Sequence, residues 1–441
     1  MSLTDIQSNI VDNLITRFEK SGPQLVPGIQ DLREGALTSL KETGLPGNKH
    51  EEYKYFNVSR KISRDYSFTL VDAANPDEHW IKSSLVDDEQ GIHLVFLNGL
   101  FRSDLSRKGN SLEGMEFYRL DETHPRMDDI LRIFKEEQQN INRDPYLELN
   151  HAFFNSGYLL NINHKKDAQP IYIYHFSENA SENVMINSKG IIVVESDTKA
   201  DITEIYLSKD KTHQFRNHNT EVYARNGALV NYQIVQETGH ESVCINNFNI
   251  HQSESSRVNV YTFALSGKHL RNNLNVLLNQ EHLESHLYGL YFVSGSDHID
   301  NHTTVDHKKP HCFSNEYYKG IIDDSGMGTF NGKIYVRPNA QKTNAFQSNK
   351  NLVLTDAATI NTKPQLEIWA DDVKCSHGAT TGQIDEEQLF YLRSRGLDKD
   401  SATALLLHAF AFDIVDKVES VQLRKYIGAK INQRLGYQFS D

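Results

Sequence analysis

The chain has 441 residues, long for one compact domain, and its 46 Lys plus Arg stand against 59 Asp plus Glu, a net charge of −13. A surface of that sign offers no field to phosphate backbones or an anionic lipid leaflet, so neither nucleic acid nor membrane is expected as a partner. MSLTDIQSNIVDN has neither the basic nor the apolar stretch of a secretory leader, and no later run is long and apolar enough to span a bilayer, which predicts a cytoplasmic protein. Cys244, Cys312 and Cys375 are odd in number and widely spaced, so no disulfide framework or Cys-rich zinc site is expected, and free thiols fit a reducing compartment.

In chain order, Leu3, Ile6, Ile10, Leu14 and Phe18 fall on one helical face, and Thr4 followed by Gln7 has the spacing of a capping box. A second amphipathic run, Ile29 to Leu40, stops near Gly44. Next comes LPGNKHEEYKYFNV, whose spacing carries no legible chemistry. From about Ala168 to Gly382 the character changes to short runs such as PIYIYHF, GIIVVE and GKIYVRP, where β-branched and aromatic residues alternate with polar ones. Turn-type pairs recur at Asp324-Ser325, Asn339-Ala340, Asp356-Ala357 and Asp371-Asp372, at intervals of 15, 17 and 15 residues by subtraction. A strand, a corner and another strand wound repeatedly is the pattern of a β-solenoid, and spacing alone leaves a large sandwich as the alternative. Leu366, Ile368 and Ala370 hold even positions whereas Val373, Cys375 and His377 hold odd ones, so Asp371-Asp372 shifts the phase and reads as a corner or bulge. Asp385 is then an N-cap with Gln388 at N3, Arg393 and Arg395 close the helix and Gly396 stops it. A helix from about Lys399 is expected to bury Leu405, Leu406, Ala409 and Phe412, and a last one Leu423, Ile427, Ile431 and Leu435. The chain thus divides into an N-terminal helical and mixed domain over 1–150, a β core over 151–382 and a C-terminal helical domain over 383–441.

Cys375 and His377, two residues apart on a strand, point to one face and are ligand types that suit a soft metal ion. Two ligands do not close a site, and by spacing alone the pair reads sooner as a buried thiol beside a hydrogen-bonded histidine. His298, His302, His307 and His311 alternate with Asp297, Asp300 and Asp306; Thr303, Thr304 and Val305 favour extended chain there, which spoils helical metal spacing and leaves a polar ladder or a subunit-facing edge. The repeated aspartates also suit a carbohydrate-cleaving β-helix enzyme, though no compact carboxylate pair stands out. Neither Gly267-Lys268 nor Gly332-Lys333 sits in a phosphate-binding loop, so the chain is not expected to bind or hydrolyse ATP.

Taken together, LPGNKHEEYKYFNV, LVFLNGLF, NHAFFNSG, DNHTTVDH, NGKIYVRPNAQKTNAFQSNKNLVL, TKPQLEIWADDVKCSHGAT and LFYLRSRGL resemble, in order, the landmarks of the SufB/SufD family of iron-sulfur cluster assembly scaffolds; Tyr53 stands where the family is expected to have tryptophan. Ala358 replaces a cysteine expected in SufB, and Ser376 and Gly378 replace its glutamates, which places the resemblance on the SufD side. It implies a mainly β protein, a right-handed parallel β-helix with helical ends, acting as a non-enzymatic scaffold. It also implies pairing with SufB, and docking of the SufC ATPase on the C-terminal helices, for which Leu389, Phe390, Tyr391, Arg393, Arg395 and Gly396 are the candidate contacts. A homodimer is the further option for the isolated chain. His377, with Cys375 beside it, becomes the candidate for holding iron or a transient Fe-S cluster shared with SufB; flavin is left open. A free-standing β-helix enzyme acting on carbohydrate is the alternative.

Overall fold

The computed structural model describes residues 3–21, 29–47, 49–62, 66–68, 70, 76–107, 114–120, 125–126, 128–129, 131–132, 144–163, 169–178, 183–209, 213–239 and 241–436. Helices α1 (Leu3–Ser21) and α2 (Ile29–Thr43) lead to a single 3-10 turn, Glu51–Tyr53, then to the short helices α3 (Ser59–Ile62) and α4 (Glu78–Ser83) and to α5 (Pro145–Phe153). Ile10, Leu14 and Phe18 are buried on the inner face of α1; Leu3, Ile6 and the Thr4–Gln7 pair lie outside the residues whose side chains are described.

Two sheets form the body. One has ten strands: β1 (Ile92–Leu97), β2 (Leu100–Phe101), β5 (Ile171–Ser177), β7 (Lys199–Ser208), β9 (Leu229–Glu237), β11 (Arg257–Ser266), β13 (Glu284–Val293), β15 (Phe313–Ile322), β17 (Asn344–Val353) and β19 (Lys374–Gly382). The other has nine: β3 (Met115–Arg119), β4 (Ser156–Ile162), β6 (Val184–Val194), β8 (Gln214–Ala224), β10 (Val243–Gln252), β12 (His269–Leu278), β14 (His298–His307), β16 (Met327–Val336) and β18 (Thr359–Ile368). From β4 onward the chain alternates between the sheets and every pairing within a sheet is parallel, a β-solenoid of about 7 turns. The 15- and 17-residue intervals are half-coils: Met327 pairs with Thr359, an offset of 32 by subtraction, and each turn-type pair lies at a corner between consecutive strands.

Parallel register stacks like on like. Leu160, Ile192, Val222, Ile250, Val276, Val305, Ile334 and Leu366 form one continuous inward column through eight strands. The columns beside it are polar. Asn246, Asn272 and Asn301 are ladder partners whose amides hydrogen-bond along the stack at 3.1 Å, so burying them leaves few donors unpaired. Farther along the inside, Gln347 Nε2 donates to Glu316 at 2.5 Å, and burial pushes the Glu316 carboxyl up from the ordinary 4.5 to about 7. The first edge of each sheet is turned over by an antiparallel strand, β2 against β1 and β3 against β4.

A carboxyl whose pKa is raised by folding holds its proton more tightly in the folded chain, so its contribution is full below about pH 4.5 and falls away as pH rises through about 7. Glu316→Gln keeps an oxygen for Gln347 and removes the titration. The variant should gain up to about 3 kcal/mol over the wild type at pH 8 and nothing near pH 4, read by denaturant unfolding at the two pH values; an equal difference at both would show that Glu316 does not titrate in the fold.

Candidate functional site

The last coil is left open. β18 and β19 are the final strands of their sheets, and no described element pairs with their outer edges. Strand alternation points Cys375, His377 and Ala379 to the inner side, where their register partners one coil below are Ala345, Gln347 and Asn349. Cys375 is half-buried against the core; His377 is exposed and, among the described residues, makes no hydrogen bond or ion pair. Ser376 and Gly378 are exposed on either side of it. The structure therefore brings the thiol and the imidazole to one face, at an end where no further coil covers them. Burial pushes the Cys375 thiol up, partly offset by the Ala345 backbone N–H, so a soft metal arriving there has to displace the thiol proton.

Three helices follow: α6 (Glu386–Ser394), α7 (Lys399–Val415) and α8 (Val421–Leu435). Asp385 caps α6 by accepting from the N–H groups of Glu387 and Gln388, and Gly396, at φ +101°, takes the left-handed turn that ends it. The helices α7 and α8 lie on the outer face of the ten-stranded sheet, burying Leu407, Ala411, Ile414, Leu423, Ile427 and Ile431 against Val235, Phe263, Leu290 and Phe292. Asp413 accepts from Tyr317 at 2.7 Å and from Lys319 at 2.9 Å, fixing α7 on the sheet. The expected face of α7 is thus corrected: Leu405, Leu406 and Phe412 are half-buried and Ala409 is exposed. This helix is apolar nearly all round, so its sequence does not choose which stripe meets the sheet. Leu405, Leu406 and Ala409 instead join Tyr391 and Leu392 around a shallow apolar groove of about 420 Å³. On α6 only Leu389 is buried; Phe390 is 74% and Tyr391 56% exposed, and Arg395 stands 5.1 Å over the Tyr391 ring.

Opposite, on the nine-stranded sheet, the 3-10 turn clasps the outer face. Arg271 is buried, with Nη1 donating to Asp300 Oδ2 at 2.8 Å and to the Glu52 carbonyl at 2.7 Å, and its guanidinium lies 3.9 Å over the Tyr53 ring. The Glu52 side chain pairs with His302 at 3.4 Å and with Lys333, and Glu51 pairs with Lys363 at 2.8 Å. Hydrogen bonding from His302 holds the Glu52 carboxyl far below its usual range against burial, with Lys333 adding to it. For Asp300 burial acts upward, but His302 and Arg271 outweigh it and the carboxyl falls to about 2. Tyr53, where tryptophan was expected, is buried and donates its hydroxyl to Asp144 at 2.5 Å.

Comparison with known proteins gives two matching family descriptions: SufBD protein N-terminal region over residues 19–173, and SUF system FeS cluster assembly, SufBD core domain, over residues 176–410. The chain belongs to the SufBD family. It is similar to the iron-sulfur cluster assembly protein SufD of Escherichia coli, 28% identical over 433 residues that cover 97% of each chain. A SufBD family protein of Synechocystis sp. is 29% identical over 401 residues, 89% of this chain and 88% of the relative. One from Mycobacterium leprae is 35% identical over 182 residues, 40% and 46% of the two chains.

The SufBD core match includes β19 and α6 and ends within α7, so the open end and the exposed helix both lie inside it. Sequence spacing did not find the clasp. Glu51 and Lys363 are 312 positions apart, and charge pairs at such separation leave no local pattern. The one available signal was the pair of adjacent glutamates in a segment too short for an amphipathic helix. Breaking the clasp from inside is costly, since Arg271→Ala leaves the Asp300 carboxylate buried without its guanidinium. A loss of about 3 to 5 kcal/mol is expected, measured by denaturant unfolding, and Asp300→Asn in the same background should recover part of it.

Proposed function

We propose that this SufBD protein is the SufD-type scaffold subunit of an assembly that contains SufB and the SufC ATPase, with no catalytic activity of its own. The observation that carries the reading is the open coil: Cys375 and His377 share a face, and among the described residues His377 lacks any partner and the strand edges around them are unpaired. An exposed pair of parallel edges is a template for strand addition, and a like solenoid end is the surface that matches its spacing. SufB is that partner. The nascent iron or Fe-S cluster is cargo held between the two chains, with His377 giving an imidazole and Cys375 a thiolate; Ala358, where SufB is expected to carry cysteine, makes this half insufficient alone. SufC docks on α6, where Phe390, Tyr391, Arg393 and Arg395 are exposed, Leu389 anchors the helix from below and Gly396 sets its end. ATP is bound by SufC and not by this chain. The three free cysteines suit the cytoplasm. Family membership supports this reading over a carbohydrate-cleaving enzyme.

Exposure makes His377 a clean test. His377→Ala should leave thermal unfolding and assembly with SufB and SufC unchanged while in vivo maturation of iron-sulfur enzymes falls; Cys375→Ser should do the same more weakly. Full maturation with His377→Ala would remove this histidine from the site.

Removing the whole helical end is a poor probe of SufC docking, because α7 and α8 cover apolar sheet residues. Point changes on α6 are better. Phe390→Ala with Tyr391→Ala should weaken SufC binding by about 2 kcal/mol or more with no change in the melting temperature, measured by titration calorimetry. Unaltered affinity would move the docking surface elsewhere.

A further inference from the structure

The early coils enclose a second group of ligand-type side chains that the open end does not use. His175 on β5 and Glu204 on β7 project inward from the ten-stranded sheet, in step with Ile171, Ile173, Ile202 and Tyr206 of the core. His218 on β8 faces them from the other sheet. All three are buried, and a ring nitrogen from each histidine and a carboxylate oxygen lie within 4.8 Å of one another. His218 Nε2 is 3.3 Å from Glu204 Oε2, and the His175 ring, stacked at 4.7 Å on Tyr206, has its centroid 4.9 Å from that of His218.

Part of this group is a satisfied network. Tyr158 and Tyr206 donate their hydroxyls to Glu204, and Thr220 Oγ1 reaches both carboxylate oxygens at 3.2 and 3.3 Å and lies 2.7 Å from His218 Nε2. Gly190 gives Tyr158 its place, for a Cβ there would meet the phenol oxygen at 2.6 Å. His175 is not accounted for in this way. Its Nε2 is buried with no hydrogen-bond partner among the described residues, an expensive arrangement for a ring nitrogen among apolar and aromatic neighbours. His218 is held from behind as a metal-bound imidazole usually is, with Nδ1 2.6 Å from Ser188 Oγ, which orients the ring and leaves Nε2 beside Glu204 and Thr220.

We propose that His175, Glu204 and His218 bind one divalent first-row transition metal ion, with zinc the best fit, inside the solenoid. Two imidazoles and one carboxylate are a common zinc donor set, and the Thr220 hydroxyl stands beside them for a fourth position. The ion gives His175 Nε2 its partner and supplies the positive charge that a carboxylate sealed in a dry interior needs. The site is separate from the cargo end. Ladder partners run from Glu204 through Ile234, Thr262, Gly289, Tyr318 and Asn349 to Ala379, six strand spacings or about 29 Å. The three ligands are buried, so the ion enters as the coils close, and its role is to fix the early coils.

The test uses the full chain. Protein purified without chelator should contain about one equivalent of zinc by mass spectrometric metal analysis, which also separates zinc from iron. Chain unfolded with chelator and refolded with Co²⁺ should show the visible d–d bands of a tetrahedral site. Those bands should persist in Cys375→Ser and His377→Ala and vanish in Glu204→Gln, which keeps the volume and an acceptor oxygen for one of the two tyrosines, and in His175→Ala. Substoichiometric metal together with no Co²⁺ bands in the wild type overturns the proposal, as do bands that survive Glu204→Gln or that are lost with His377→Ala. If His175→Ala does not fold, the wild-type metal content and Glu204→Gln decide.

Discussion

Everything in this molecule depends on in-register parallel pairing between successive coils. Each strand hydrogen-bonds with the strand one coil before and the strand one coil after, so the backbone polar groups of the body are satisfied only because the stack continues. The constraint sets side-chain chemistry as well. A residue sits directly above and below its ladder partners, which is why aliphatic columns stay aliphatic and a buried asparagine is answered by another asparagine. It also makes the two ends of the stack the places where the rule breaks. At the first end, antiparallel β2 and β3 cover the edges; at the last end, no described element pairs with the outer edges of β18 and β19. The candidate cargo residues stand at this last end.

The outer faces are managed differently. The ten-stranded sheet turns apolar residues outward, Phe263, Leu290 and Phe292 among them, and α7 and α8 cover them. The nine-stranded sheet carries amides and charges outward, such as Asn273, Asn275 and Lys333, and these face a cleft beside the N-terminal segment. The C-terminal helices are therefore part of the hydrophobic core and at the same time the carriers of α6, whose aromatic residues Phe390 and Tyr391 are exposed.

The solenoid was legible because its evidence is local and repeated: half-coil spacing, alternation within each strand, and the phase shift at Asp371-Asp372 that proved to be a corner. The caps of α6 were legible for the same reason, since Asp385 and Gly396 act on their immediate neighbours. The pairing of Cys375 with His377 on one face followed from the period of two. What was not legible is what the winding brings together. His175, Glu204 and His218 lie in three separate strands, and nothing in the sequence says that they face one another until the register is known. The face of α7 was misread because an all-round apolar helix has no preferred stripe, and the sheet beneath it makes the choice.

The 3-10 turn Glu51–Tyr53 has a further consequence. Its side chains and carbonyl reach β12 through Arg271, β14 through His302, β16 through Lys333 and β18 through Lys363. A solenoid held only by neighbour contacts behaves as a one-dimensional chain whose terminal coil frays first and alone. A strap across four successive coils changes that behaviour: β18 cannot peel away without the strap releasing Lys363, and the strap in turn rests on the guanidinium of a buried arginine three strands back in the same sheet. The uncovered end thereby gains a lateral ion pair from a segment that precedes it by some three hundred residues.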